Sequence, residues 1–242
     1  MFPEWLTDRG AAVSFGVVAV VLMLATGPVS RALRVPSSVV DGQWWWGGGA
    51  FLVVARVAAV AVAAPSLVLD PMVLVRFTDD LWPVPGALAA LGVMAWRARR
   101  EAEVATAWAA SVVGLAITLA AWDFACPLRG GCHGAPASGP FAFPMGGLTE
   151  SRLATPFIEG IVVLVLLAAT LRVLDRWDAA TAGWALLVAL AGTRLALMPL
   201  TAGGLEVVDA MLLAGGMLVG VVMAARGARS ARRAASTGVA PG

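Results

Sequence analysis

The stretch VATAWAASVVGLAITLAAW, residues 104–122, carries no charged side chain over its whole length. A helix needs about 20 mostly apolar residues to cross the hydrocarbon of a bilayer. A strand of an ordinary sheet is about 5–6 residues long and alternates between its two faces. This run is too long for a strand and apolar on every side, so it reads as a membrane-spanning helix. Six further stretches are similar, at 11–29, 44–67, 81–96, 155–173, 184–200 and 207–225. The third and sixth are short and contain proline (Pro83 and Pro85; Pro199). Polar or Gly/Pro-rich connectors separate them. The expected fold is all-α, a polytopic membrane protein of about seven transmembrane helices.

Composition points the same way. Of 242 residues, 60% are hydrophobic and 13% charged, against about 25% charged in a typical soluble domain. So few charges cannot cover a water-exposed globule. Two cysteines exclude a secreted disulfide scaffold, and the apolar content excludes disorder. All 17 basic residues are Arg, and 10 Trp stand beside no Tyr, which reads as a GC-rich codon preference. The formal charge of +2 therefore implies no nucleic-acid partner.

The positions of the arginines carry more than their number. Arg31, Arg34, Arg97, Arg99, Arg100, Arg172 and Arg176 lie in alternate connectors, and Arg226, Arg229, Arg232 and Arg233 lie in the tail. The opposite connectors hold Arg9, Arg76, Arg129 and Arg152. By the positive-inside rule the N-terminus is expected outside and the C-terminus in the cytoplasm. Residues 1–10, with Glu4 and Asp8 against Arg9, do not resemble the positive start of a cleaved signal peptide. The expected organisation is one transmembrane domain over 1–225, with an external loop at 123–154. Residues 226–242 read as a disordered, basic cytoplasmic tail.

Ionisable residues inside spans need a partner or a water-filled cavity. Arg56 and Arg194 fall mid-span in this reading, and Glu159 and Asp209 lie just inside the outer ends of theirs. Two arrangements satisfy them. One is a buried ion-pair network, which by itself proves little; the other is a cavity open to the outer leaflet, where guanidinium groups grip a lipid phosphate. Trp44, Trp45 and Trp46 suit an interfacial aromatic belt, and Gly47–Gly49 suit close packing of a neighbouring helix.

The external loop holds both cysteines and the sole histidine, in Cys126-Pro127-Leu128-Arg129-Gly130-Gly131-Cys132-His133-Gly134. Cys126 and Cys132 read as a structural disulfide closing a small loop. A redox-active pair beside His133, and free thiols, are the alternatives. Two thiols and one His leave a tetrahedral metal site a ligand short, so no metal and no cofactor is expected.

Phe143-Pro144 follows, then Ser151-Arg152-Leu153-Ala154-Thr155-Pro156-Phe157-Ile158-Glu159. With the Gly-rich loop, this order resembles the prolipoprotein diacylglyceryl transferases, whose loop precedes a Phe-Pro pair and an Arg-His-Pro-x-Gln-Leu-Tyr-Glu motif opening a helix. The interval from Arg152 to Glu159 matches without a gap. Ala55-Arg56 is similar to the family's Gly-Ala-Arg, and Arg194 falls where the family has an essential arginine in its penultimate helix. Leu205–Leu218 resembles the family's final helix, so the sparse pattern extends over roughly residues 11–225.

The resemblance implies a bacterial cytoplasmic (inner) membrane protein whose partners are a phosphatidylglycerol-like phospholipid and a lipoprotein precursor. The diacylglyceryl group would pass to the precursor's cysteine thiol. Arg194, Arg129 and His133 are the catalytic candidates it implies, and Arg56, Arg194, Arg152 and Glu159 the lipid-binding ones. There are departures. The family's loop arginine falls on Asp123, its third-span histidine on Pro85, and its Gln-Leu-Tyr on Pro156-Phe157-Ile158. Proline exchanges no proton. The pattern therefore implies a divergent relative that keeps fold and lipid cavity, with transferase activity weak or absent. A non-catalytic membrane subunit that holds lipid or a partner protein, and a thiol–disulfide redox membrane protein, are the competing functions.

Overall fold

The computed structural model describes residues 10–68, 70, 81–129, 134–139, 142–144, 151–174, 176–200, 210–211 and 213–225. The helices are α1 (Gly10–Leu33), α2 (Ser37–Ala63), α3 (Pro83–Ala98), α4 (Val104–Phe124), α5 (Thr155–Val173) and α6 (Ala179–Leu197). A further apolar helix, α7, covers Leu213–Ala225. Five of these, α1, α2, α4, α5 and α6 with its short extension to Leu200, are long and apolar enough to cross a membrane; α3 and α7 are shorter. The chain is a helical, multi-pass membrane protein. Asp209 and the tail 226–242 lie outside the described residues.

The stretch that decides the class also forms the core. α4 packs against α1, α2, α3, α5 and α6. Its faces carry small side chains all round, among them Ala107, Ala109, Ala110, Ser111, Ala116, Ala120 and Ala121, all buried. Without lipid-facing polarity to drive it, helix association in a bilayer relies on close backbone approach, which small residues allow. At Gly183 on α6, an added Cβ would lie 3.2 Å from the Ala109 Cα. The surrounding helices turn apolar side chains outward, including Leu24, Val53, Val62, Val165 and Leu218. That exposed apolar surface suits hydrocarbon and not water.

Trp44 is no part of an interfacial belt. Its ring is buried and its Nε1 donates to the Ala110 carbonyl at 2.8 Å, seated over Gly114 of α4. A Cβ on Gly114 would overlap the indole Nε1. Trp45 and Trp46 do face outward. Gly114→Ala should force the indole off its carbonyl and cost about 1–3 kcal/mol by overpacking. Thermal unfolding in detergent checks this; an unchanged midpoint would mean the α2–α4 seam has slack.

α2 begins at Ser37, seven residues before the hydropathy-based start at Trp44. The reason is that polar residues of this segment are satisfied inside the bundle. Asp41 Oδ1 accepts from Thr26 Oγ1 at 2.8 Å. Gln43 is fully buried and brackets the last turn of α3: its amide nitrogen is 3.1 Å from Met94 O and its oxygen accepts from Ala98 N at 3.2 Å. α3 presents Gly86, Ala90, Met94 and Ala98, spaced by four, as its packed face. Gly86 sits against Ala55 and the Phe51 carbonyl, and Gly47 against Met94. Gly48 and Gly49 have open space around them, so only the first of the three glycines serves close packing.

α1 ends in a turn in which Val35 N donates to Ser30 O and Arg34 takes φ 57°. α6 starts at Asp178, whose carboxylate accepts from Thr181 N at 2.9 Å, a capping contact that satisfies a first-turn donor. α7 lies antiparallel on α6, with Gly220 against Val188 and Met217 3.7 Å from a Cβ on Gly192. Helix directions therefore alternate, and the bundle has two chemically distinct ends. One collects Arg31, Arg34, Arg97, Arg99, Arg100, Arg172 and Arg176. The other collects the long connector, the start of α5 and the end of α6.

The connector 123–154 is not a plain loop. Asp123 and Phe124 still belong to α4, and Cys126–Arg129 forms a short 3-10 turn. β1 (Ala142–Pro144) then pairs antiparallel with β2 (Ser151–Leu153), with Phe143 opposite Arg152. On the other edge of β2, Ala137 N donates to Ser151 O and Leu153 N to Ala135 O, both at 3.1 Å. β2 is therefore the middle of a three-segment patch. The helical expectation holds for the membrane-spanning part, and this patch is the exception to it.

Candidate functional site

At the loop end, α5 and α6 bring Glu159 and Arg194 together. Glu159 is the fifth residue of α5, and Arg194 lies in the last turn of α6. At 1.5 Å per residue both stand within roughly 10 Å of their helix ends. Arg194 Nη1 donates to Glu159 Oε1 at 2.5 Å. The carboxylate is nearly inaccessible, with its side chain 5% exposed, whereas the arginine side chain is 41% exposed. A buried anion thus fixes a cation that reaches the protein surface.

The start of α5 is locked to the end of α6. Thr155 Oγ1 donates to Leu200 O at 2.9 Å, and Ala135 N donates to the same carbonyl at 2.8 Å. Leu200 closes a 3-10 turn (Met198–Leu200), where Pro199 ends the helix and leaves carbonyls for outside donors. Pro156, in the first turn of α5, falls where a missing N–H costs nothing. The loop patch and the pair are consequently mounted on one clasp.

Other expected site residues are placed differently. Arg152 Nη1 donates to Gly134 O at 3.4 Å and its Nε is buried without a hydrogen bond. No contact joins it to Glu159 or Arg194 among the described residues. Arg56 belongs to the second half of its helix. It lies seven residues before the end of α2, a helix that begins at Ser37 and ends at Ala63. α2 packs on α1, α3 and α4, while Glu159 and Arg194 stand on α5 and α6. Of the four candidate lipid ligands, then, two meet directly.

Cys126 is buried and disulfide-bonded. Cys132 and His133 lie outside the described residues, as does the side chain of Arg129. Asp123, which stands where the family pattern has an arginine, is buried at the end of α4. Pro85 occupies the first turn of α3.

A cleft of about 370 Å³ lies beside the site, walled by Val17 and Val21 of α1, Ile117 and Phe124 of α4, and Leu164 of α5. Its lining is apolar, and neither Arg56 nor Arg194 borders it. Phe124 connects it to the pair's neighbourhood. The ring stacks edge-on with Phe157 at 5.9 Å and would lie 3.1 Å from a Cβ on Gly160, next to Glu159. Sequence reasoning missed two polar anchors, Asp41 and Gln43, because both fall outside the most apolar window of their helix. The available signal was Asp41-Gly42-Gln43 directly preceding an apolar run.

No protein-family model matches the chain, and no curated protein matches it either.

Proposed function

We propose that this chain is a lipid-handling protein of a bacterial inner membrane, similar in design to the diacylglyceryl transferases. In this reading its loop end faces outward, following the arginine distribution, and Arg194 receives the phosphate of a phosphatidylglycerol-type lipid. The observation that carries the reading is the Glu159–Arg194 pair. A guanidinium anchored by a buried carboxylate and still 41% exposed is pre-oriented for a phosphate oxygen. The apolar cleft beside Phe124 would take an acyl chain of the same leaflet.

Two outcomes of such binding differ chemically. In transfer, a precursor's thiol sulfur bonds to the glyceryl carbon while that carbon's bond to the phosphate oxygen breaks, and glycerol phosphate departs with the thiol's proton. Cations then stabilise the leaving group. In holding, the lipid stays intact and the protein serves as a membrane subunit. Asp123 and Pro85, at the positions of a cation and a proton-exchanging group in the family pattern, favour holding. The burial of Cys126 disfavours the redox alternative, since reactive cysteines sit in partly exposed sites.

The test is direct. Purified protein should retain phosphatidylglycerol over phosphatidylcholine by native mass spectrometry, and Arg194→Gln should weaken the binding of one phosphatidylglycerol about tenfold, the loss of one charge-assisted contact. A labelled diacylglyceryl donor and a lipobox peptide, run beside an active family member, then separate the two outcomes. Transfer establishes the enzyme, and retention without transfer establishes the lipid holder. With neither, the proposal is wrong.

A further inference from the structure

The arginine-rich end carries a second cationic arrangement that owes nothing to Arg194 or to any family resemblance. The last turn of α3 and the residues after it hold Arg97, Arg99 and Arg100, none of which forms an ion pair among the described residues. Two of the three are fixed against indoles. The Arg100 guanidinium lies 3.7 Å above the Trp96 ring, and that of Arg97 lies 5.6 Å from the Trp46 ring. Cation–π contacts of this kind hold a charge in place without neutralising it.

Gly42 of α2 makes room for Arg97: a Cβ there would be 2.9 Å from its Nη2. The Arg97 Nε is buried without a hydrogen bond, so the stem of the side chain is held inside the bundle. Gln43, on the same turn of α2, braces the turn of α3 that carries it. The nearby carboxylates are engaged elsewhere or form no pair with these arginines. Asp41 accepts from Thr26 and Glu103 from Thr106, while Glu101 has no ion pair among the described residues.

An arginine that only sets topology can remain a flexible side chain in headgroup water. Here two are held against indoles, form no ion pair among the described residues and are flanked by outward-facing tryptophans, Trp46 at 60% and Trp96 at 51% exposure, which suits the bilayer interface. Ordered guanidinium groups match the oxygens of a phosphodiester, and exposed indoles match the glycerol and upper acyl region beside it. We propose that the α2–α3 seam at this end binds one anionic phospholipid headgroup, with Arg97 and Arg100 on its phosphate.

Full-length protein in detergent, titrated separately with phosphatidylglycerol, phosphatidylcholine and inorganic phosphate and followed by native mass spectrometry, tests this. Phosphatidylglycerol should bind in preference to phosphatidylcholine. Of the two bound phosphatidylglycerols that the mass spectrum resolves, Arg97→Gln with Arg100→Gln should weaken one about tenfold or more, the loss of two charge-assisted contacts, and leave in place the one that depends on Arg194. Arg31→Gln with Arg34→Gln, the same charge change at the same end, should leave both in place. Arg100→Gln alone, at an exposed side chain, should keep the melting temperature and still lose affinity. Equal losses in the two double variants would show delocalised surface charge instead of a site. Absence of lipid preference, an unaffected Arg100→Gln, or inorganic phosphate binding as well as the lipid would each overturn the proposal.

Discussion

Arg194→Leu is expected to destabilise the protein by about 3 kcal/mol, the low end of the cost of breaking a buried pair from one side, because only the carboxylate of this pair is buried. The two partners are not equivalent. Glu159 is 5% exposed at its side chain and Arg194 41%. Removing the arginine strands a carboxylate in a low-dielectric interior, where an uncompensated charge costs most. Removing the carboxylate leaves a long, half-exposed side chain that can move its head toward the interface. Glu159→Leu should therefore cost clearly less than Arg194→Leu. The double variant should recover most of the loss, because two apolar residues in place of an ion pair are often close to neutral. Thermal unfolding of all four proteins in one detergent gives the cycle. If Glu159→Leu proves the more damaging single change, the burial asymmetry does not set the energetics and Arg194 is the residue in need of its partner.

The same pair shows what could be read from the sequence. Glu159 and Arg194 stood out because charges in apolar runs are costly wherever they occur. That they meet could not be read, since spacing along one helix says nothing about which neighbour it faces. Arg56 had equal standing on cost alone, yet its helix packs on α1, α3 and α4. α4 was legible almost to the residue because it is apolar on all sides, and such a helix belongs in the interior. The starts of α2 and α6 were not, because Asp41, Gln43 and Asp178 look like connector residues until their partners Thr26, Met94 and Thr181 are known. Trp44 was misread for a related reason. A tryptophan at a span's edge suits both a lipid interface and a buried carbonyl, and only Ala110 decides between them. The loop patch was invisible for want of pattern: segments of three residues rich in Gly and Pro carry no period to detect.

That patch leads to the second large expected effect. Gly134→Ala should cost about 3 kcal/mol, the upper part of the range for overpacking, because the atoms it meets cannot move away cheaply. An added Cβ would overlap the Leu153 carbonyl oxygen and the Thr155 hydroxyl. The first accepts from Gly134 N and the second donates to Leu200 O. One methyl group would thus strain the edge of the strand patch and the clasp between α5 and α6 together. Gly139 is the informative contrast. Its φ of +111° disfavours a side chain, yet nothing lies within 4 Å of where a Cβ would stand, so Gly139→Ala should cost only about 1 kcal/mol of backbone strain. Hydrogen exchange distinguishes the two, since Gly134→Ala should speed exchange at the Ala135, Ala137 and Leu153 amides, while Gly139→Ala should act locally at Ala142, whose N–H donates to the Gly139 carbonyl. If lipid retention falls with Gly134→Ala while the Glu159–Arg194 pair is unaltered in sequence, the clasp positions the site. If retention is unchanged while the three amides open, the loop patch and the lipid site are energetically separate.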